Sequence, residues 1–187
     1  MTRDTRPYLA ALLLTLAMAV TITVLGRNLI CDCGTIRLFI ADNSSPEVSQ
    51  QIADWYTPSH IIHGFLFFAV LAWLAPRLSF GWRLTLAVLV EGAWEIVENS
   101  PWIINRYRTE TNSADYAGDT VLNSVCDLLA MAGGFWLAAR LPVWLSVAIV
   151  LGFEALTLWL IRDGLALNVL MLLWPVPAIR DWQAQAW

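Results

Sequence analysis

The strongest constraint on this chain is a set of apolar runs long enough to cross a lipid bilayer. A hydrocarbon core of roughly 30 Å takes about 20 helical residues. Five stretches approach that length: 8–25, 60–76, 82–98, 119–139 and 143–161. The first carries no charge, the third carries Glu91, Glu95 and Glu98, the fourth Asp119 and Asp127, and the fifth Glu154. Residues 165–176 are also apolar, but at about 1.5 Å per residue they cover only about 18 Å. They read as a re-entrant or interfacial segment. The expected fold is all-α: one polytopic helical bundle over residues 1–187 with five spans, six being the alternative.

Composition supports that reading. The chain is 58% hydrophobic and 14% charged, against about 25% charged in soluble domains. A disordered chain and a disulfide-framed module are excluded. Eleven tryptophans suit a protein with two membrane–water interfaces, and Trp82, Trp102, Trp144 and Trp182 read as interfacial anchors. All 11 basic residues are arginine and the net charge is -4, so no nucleic-acid partner is expected. The partner is the lipid bilayer, with a homo-oligomer left open.

Arg3 and Arg6 precede the first run, and no small-x-small cleavage site follows Leu25. The segment reads as an uncleaved anchor. A cytoplasmic N-terminus puts Arg3, Arg6, Arg77, Arg83 and Arg140 inside and Arg27, Arg37, Arg106, Arg108 and Arg162 outside, a near-even division. The N-terminal pair and the short Arg77–Arg83 connection favour that orientation. Two spans separate the polar stretches 26–59 and 99–118, so they share one side of the membrane. With the N-terminus inside, that side is the outer face of a bacterial inner membrane.

Ionisable residues inside a bilayer are expensive and commonly mark function. The second span opens on Ser59-His60-Ile61-Ile62-His63-Gly64, which holds both histidines of the chain. At about 100° per residue, Glu91, Glu95 and Glu98 lie within about 60° of one another on one helix face. Asp119, Asn123 and Cys126 share a face of the fourth span, with Asp127 at its edge. Ala130, Gly133 and Gly134 continue that face and permit close approach of a neighbouring helix. Alternating helix direction puts all three groups, together with Glu154, at one depth.

Each group has two readings. His60 and His63, one turn apart, suit a divalent metal completed by carboxylates; alternatively they are wet residues near an N-cap at Ser59. Glu95 and Glu98 suit a general base; alternatively the glutamates form a buried ion-pair network with Arg106 and Arg108. Asp119 and Asn123 suit catalysis or substrate orientation; alternatively they pack helices, with Asp119 as an N-cap. Glu154 reads as a packing partner. Cys31 and Cys33 read as two ordinary thiols, with a redox-active or intermolecular disulfide as the other choice.

The runs Ser59 to Gly64, Glu91 to Pro101, Arg106-Tyr107-Arg108, Asp115 to Asp119 and Asn123-Ser124 resemble the signature of an uncharacterised bacterial integral-membrane family of unknown function. The resemblance covers most of residues 50–135. More distantly, Glu95 and Glu98, Arg106 or Arg108, and Asp119 with Asn123 resemble the E-x-x-Q, R and D-x-x-x-N arrangement of VanZ-like membrane proteins. The glutamine is missing here and the two histidines are additional. That resemblance implies a loose link to envelope modification and glycopeptide resistance.

The functional expectation is an enzyme acting on a lipid or envelope-linked headgroup. Glu95, Glu98, Asp119 and Asn123 are its candidate catalytic residues. Arg106, Arg108, Tyr107 and Asn99 would bind the headgroup, and His60 and His63 a divalent metal. A structural scaffold and a small proton-coupled carrier are the alternatives.

Overall fold

The computed structural model describes residues 4–111 and 113–185, so Arg3 lies outside the described residues. Among the described residues there are eight helices and no strand. They are α1 (Arg6–Val24), α2 (Thr57–Leu74), α3 (Phe80–Glu98), α4 (Pro101–Glu110), α5 (Val121–Ala138), α6 (Val143–Ile161), α7 (Leu165–Leu173) and α8 (Pro177–Ala184). The all-α expectation holds.

Helices α1, α2, α5 and α6 are long and apolar enough to cross a membrane. Helix α3 matches α1 at 19 residues, but Arg83, Glu91, Glu95 and Glu98 make it the polar one of the set. Helix α7 has 9 residues, about 14 Å of rise, which is too short to cross.

Polarity is distributed inside out. Leu9, Leu12, Leu13, Leu16 and Val20 of α1 and Val143, Val147, Leu151 and Trp159 of α6 are exposed, while Glu91, Glu95, Asn99, Asn123 and Ser124 are buried. A water-soluble bundle would reverse this arrangement; a lipid-facing one requires it.

Two close helix pairs form the frame. In α2 and α5, Gly64 and Gly134 let the backbones meet. A Cβ on Gly64 would lie 2.8 Å from the Gly134 carbonyl carbon, and one on Gly134 would lie 3.0 Å from the Ile61 carbonyl carbon. Gly133, the other glycine of the predicted small face, has nothing within 4 Å. In the second pair, the Thr85 hydroxyl of α3 donates to the Pro7 carbonyl of α1 at 2.8 Å. Met18, Ile22, Ala87, Val88, Leu128, Met131 and Phe135 fill the space between the pairs.

The polar stretches 26–59 and 99–118 meet at one end of the bundle. The Gln50 side chain donates to the Gly118 carbonyl at 2.7 Å. The first amides of α5 are satisfied from the earlier stretch: Val121 N–H donates to Asn28 O at 2.9 Å and Leu122 N–H to Leu29 O at 3.1 Å. A helix N-terminus leaves such donors unpaired by itself, so this stitching fixes α5 against the loop. It also returns α3 to the end of the bundle from which α2 departs.

Two expected caps are corrected. The N-cap of α5 is Thr120, whose hydroxyl accepts from Asn123 N–H, and not Asp119. Helix α2 begins before Ser59, at Thr57 with Pro58 in its first turn. The turn leading into it is held by Asp54, which accepts from Tyr56 N–H at 2.7 Å and Ser49 N–H at 2.7 Å.

Candidate functional site

Both histidines converge on one carboxylate. Glu91, two turns from the end of α3, is fully buried. Its Oε1 lies 2.7 Å from His60 Nδ1, and its Oε2 lies 3.0 Å from His63 Nδ1. One α2 turn separates the imidazoles, so they reach the same partner from neighbouring levels. His60 Nε2 is 3.8 Å from Asp127 Oδ2 on α5, and the Thr57 hydroxyl lies 3.4 Å from Asp127 Oδ1. His63 stacks on Phe67 with ring centroids 5.6 Å apart. One nitrogen of each imidazole and one Glu91 oxygen lie within 4.8 Å of one another, a donor set suited to a divalent metal.

A second cluster adjoins the first through Glu95, whose Oε1 is 3.6 Å from His60 Nδ1. Glu95, Glu98 and Asp119 each place one oxygen within 4.8 Å of the others. The Tyr107 hydroxyl donates to Glu98 Oε1 at 2.7 Å, and the Tyr116 hydroxyl to Asp119 Oδ1 at 2.8 Å. The Asn99 amide donates to Asp119 Oδ2 at 2.8 Å, and its oxygen accepts from Asp119 N–H at 2.8 Å. Burial pushes Asp119 above the usual carboxylate range, against the hydrogen bonds from Tyr116 and Asn99. Burial, and then the neighbouring carboxylates, hold the Tyr107 and Tyr116 hydroxyls well above their ordinary value, so both remain donors. Glu95 differs from its neighbours: it is fully buried and neither carboxylate oxygen has a hydrogen-bond partner.

The predicted residues therefore divide. His60, His63, Glu95, Glu98 and Asp119 come together, with Tyr107 and Asn99 directly behind the carboxylates. Asn123 does not join them; its amide donates to the Gln51 carbonyl at 2.9 Å. The arginine–glutamate network is not what forms. Arg106 donates to the carbonyls of Leu172 and Leu173 at the end of α7, where a helix presents unpaired acceptors. Arg108 donates to the Tyr116 carbonyl at 2.6 Å. Glu154 accepts from Leu165 N–H at 2.8 Å and Ala166 N–H at 3.2 Å, capping α7 as the packing partner it was read to be. Cys31 and Cys33 are joined as a disulfide, against the expectation of two free thiols.

Several site residues were absent from the predicted set. Glu91 and Asp127 carried a sequence signal, since Glu91 lies one turn before Glu95 and Asp127 one turn after Asn123. Tyr116 lies within the Asp115 to Asp119 run of the family motif, and Arg27 carried no signal. Arg27 donates to the Ala117 carbonyl. It lines a groove of about 290 Å³ with Pro101, Ile104, Asn105, Arg108 and Ala117. Gly118, at φ +90°, lies between this groove and the carboxylates: a Cβ there would be 2.7 Å from the Arg27 guanidinium and 3.0 Å from Asn99 Oδ1.

Apolar helices around a buried histidine–carboxylate centre define a helical membrane protein whose interior is polar at one end. The chain belongs to the DUF2585 family, described as a protein of unknown function, whose profile matches residues 22–185. It is similar to a UPF0314 protein of Paracoccus denitrificans (strain Pd 1222), 64% identical over 183 residues, covering 98% of this chain and 95% of that protein. A UPF0314 protein of Novosphingobium aromaticivorans is 53% identical over 184 residues, covering 94% of this chain and 91% of that protein. One of Sphingopyxis alaskensis is 51% identical over 177 residues, covering 95% and 94%. No solved structure matches the chain. The family is the uncharacterised bacterial one anticipated from the motifs; the VanZ-like resemblance gains no support from these matches.

Proposed function

We propose that this protein is a bacterial inner-membrane enzyme acting on the headgroup of a lipid or lipid-linked envelope substrate, with a divalent cation at His60, His63 and Glu91. The observation that carries the reading is the convergence of both imidazoles on one fully buried carboxylate. When bound, such a cation polarises a phosphoryl or carbonyl oxygen and makes a bound water more acidic.

The protein's own residues have distinct roles in this reading. Glu95, beside His60 and otherwise unpartnered, is the general base. Asp127 orients His60 from behind, as a carboxylate commonly does for a metal-binding imidazole. Arg108 binds the anionic headgroup with Arg27, both on the groove that Gly118 separates from the carboxylates. Guanidinium suits phosphate and carboxylate oxygens because its donors form a planar fork. Arg106 holds α7 instead.

Helix α3 is the fifth span in this account. It is as long as α1 and brings the chain back to the end where residues 26–59 meet 99–118. The N-terminus is cytoplasmic and the centre lies towards the outer face.

The scaffold reading draws on Arg106 and Arg108, which bind backbone carbonyls as structural arginines do. Glu95 counts against it, because a purely structural buried network leaves few polar groups unpaired. The test is the envelope lipid profile of a strain lacking the gene, complemented with wild type or with Glu95→Gln. A shared headgroup-specific change in the deletion and the variant is expected, with the variant at wild-type level in the membrane. A wild-type profile restored by Glu95→Gln would overturn the enzyme reading.

A further inference from the structure

We propose that Glu95, Glu98 and Asp119 hold a second divalent cation, with Glu95 as the carboxylate shared between it and the cation at His60, His63 and Glu91. The inference builds on the metal reading of those histidines, adds a second ion beside the first, and makes Glu95 a ligand shared by both ions in place of the general base.

Four observations lead to it. The three carboxylates each place an oxygen within 4.8 Å of the others, close enough for one ion to bridge them at ordinary metal–oxygen distances of about 2.0–2.6 Å. Glu95 is 1% exposed and neither of its oxygens has a hydrogen-bond partner, His60 Nδ1 at 3.6 Å being its one neighbour of opposite charge among the described residues. An unpaired buried polar group costs about 1–3 kcal/mol, more when charged, so a missing partner at this point is a specific demand. The other two ligands already have the supporting hydrogen bonds that aim metal-binding carboxylates: Tyr107 on Glu98, and Tyr116 and Asn99 on Asp119.

Charge is the fourth observation. Glu91, Glu95, Glu98, Asp119 and Asp127 bring five carboxylates into one buried region. His60 and His63 are the only basic side chains within ion-pair distance of any of them among the described residues. With these carboxylates deprotonated, as metal binding requires of its ligands, even two imidazolium ions would leave an excess of negative charge, and one divalent ion on the histidines would not remove it. A second ion at the carboxylates brings the centre close to neutrality. Glu95 is placed to link the two, 3.6 Å from His60 Nδ1 on one side and within the Glu98–Asp119 triad on the other. Two-metal sites space their ions about 3.5–4 Å apart, a separation that suits phosphoryl and acyl chemistry. The all-oxygen donor set of the second site selects a hard ion, Mg²⁺ or Mn²⁺, over zinc.

The test uses the full chain in detergent, stripped of metal and reloaded with Mn²⁺. Bound manganese is counted per chain, and electron paramagnetic resonance reads whether the ions are spin-coupled. About two ions per chain with a coupled spectrum are expected, since the ions are neighbours. Glu98→Gln/Asp119→Asn is expected to halve the count and abolish the coupling. If that pair elutes as misfolded protein, Glu98→Gln alone, at the half-buried end of α3, serves in its place. A single uncoupled ion that survives these changes and disappears in His60→Ala/His63→Ala would overturn the second site while leaving the first. No bound manganese in the wild type would overturn the second site, and no bound zinc after reloading with Zn²⁺ as well would overturn the first.

Discussion

Gly64 and Gly134 face each other across the α2–α5 contact so closely that neither has room for a methyl group: a Cβ on Gly64 would lie 2.8 Å from the Gly134 carbonyl carbon. This contact sets the spacing of the candidate site, because His60 lies one turn before Gly64 and Asp127 two turns before Gly134. Gly134→Ala is expected to cost about 2 kcal/mol or more, as overpacking between fixed backbones does. Gly133→Ala is expected to be neutral, because Gly133 has nothing within 4 Å. Thermal unfolding of the two variants in detergent checks the contrast; equal melting temperatures would contradict this packing.

Asn99 locks Asp119 through reciprocal hydrogen bonds of 2.8 Å each way. Asn99→Ala is expected to destabilise by about 1–3 kcal/mol by orphaning buried groups. Asn99→Asp is expected to be worse, since it replaces a donor with a second carboxylate against Asp119. Melting temperatures and trypsin resistance of the loop over 99–118 would report both.

Asp163, between α6 and α7, is pushed up from 3.8 to about 6, chiefly by burial and against hydrogen bonds from Gly164 N–H and Tyr56. A carboxyl raised in the folded state contributes stability at pH below its unfolded value and loses it as pH rises through the folded value. Wild type is therefore expected to lose melting temperature between about pH 4 and 6 relative to Asp163→Asn, whose amide does not titrate. Parallel pH profiles for the two proteins would contradict this.

The Cys31–Cys33 disulfide lies on the stretch 26–59, and Cys33 is exposed. With the N-terminus cytoplasmic, a membrane-impermeant maleimide is expected to label Cys33 on spheroplasts only after reduction. Half-buried Cys126 in α5, tested alone in a variant lacking the other two cysteines, is expected to stay unlabelled. Labelling of Cys33 that requires opening the spheroplasts would reverse the orientation.

Periodicity and depth read part of this structure well. Helix-face arithmetic put Glu91, Glu95 and Glu98 together, and alternating direction brought His60, His63 and Asp119 to the same end. Both follow from helix geometry, which a sequence carries directly. The destinations of the arginines were not legible, because Arg106 and Arg108 choose backbone carbonyls, and no side-chain pattern marks a carbonyl. The caps failed for a related reason: Asp119 is diverted to Tyr116 and Asn99, leaving Thr120 to cap α5. Gly133 and Gly134 are adjacent in sequence, and only the position of α2 separates the essential glycine from the idle one.

The most direct measurement of the central claim is the metal content of the detergent-purified protein by mass spectrometry, wild type beside His60→Ala/His63→Ala. Near-stoichiometric metal in the wild type, reduced in a variant that remains folded, is the expected result. Wild-type protein free of metal, and still so after reloading with Zn²⁺ or Mn²⁺, would contradict a cation centre at His60, His63 and Glu91.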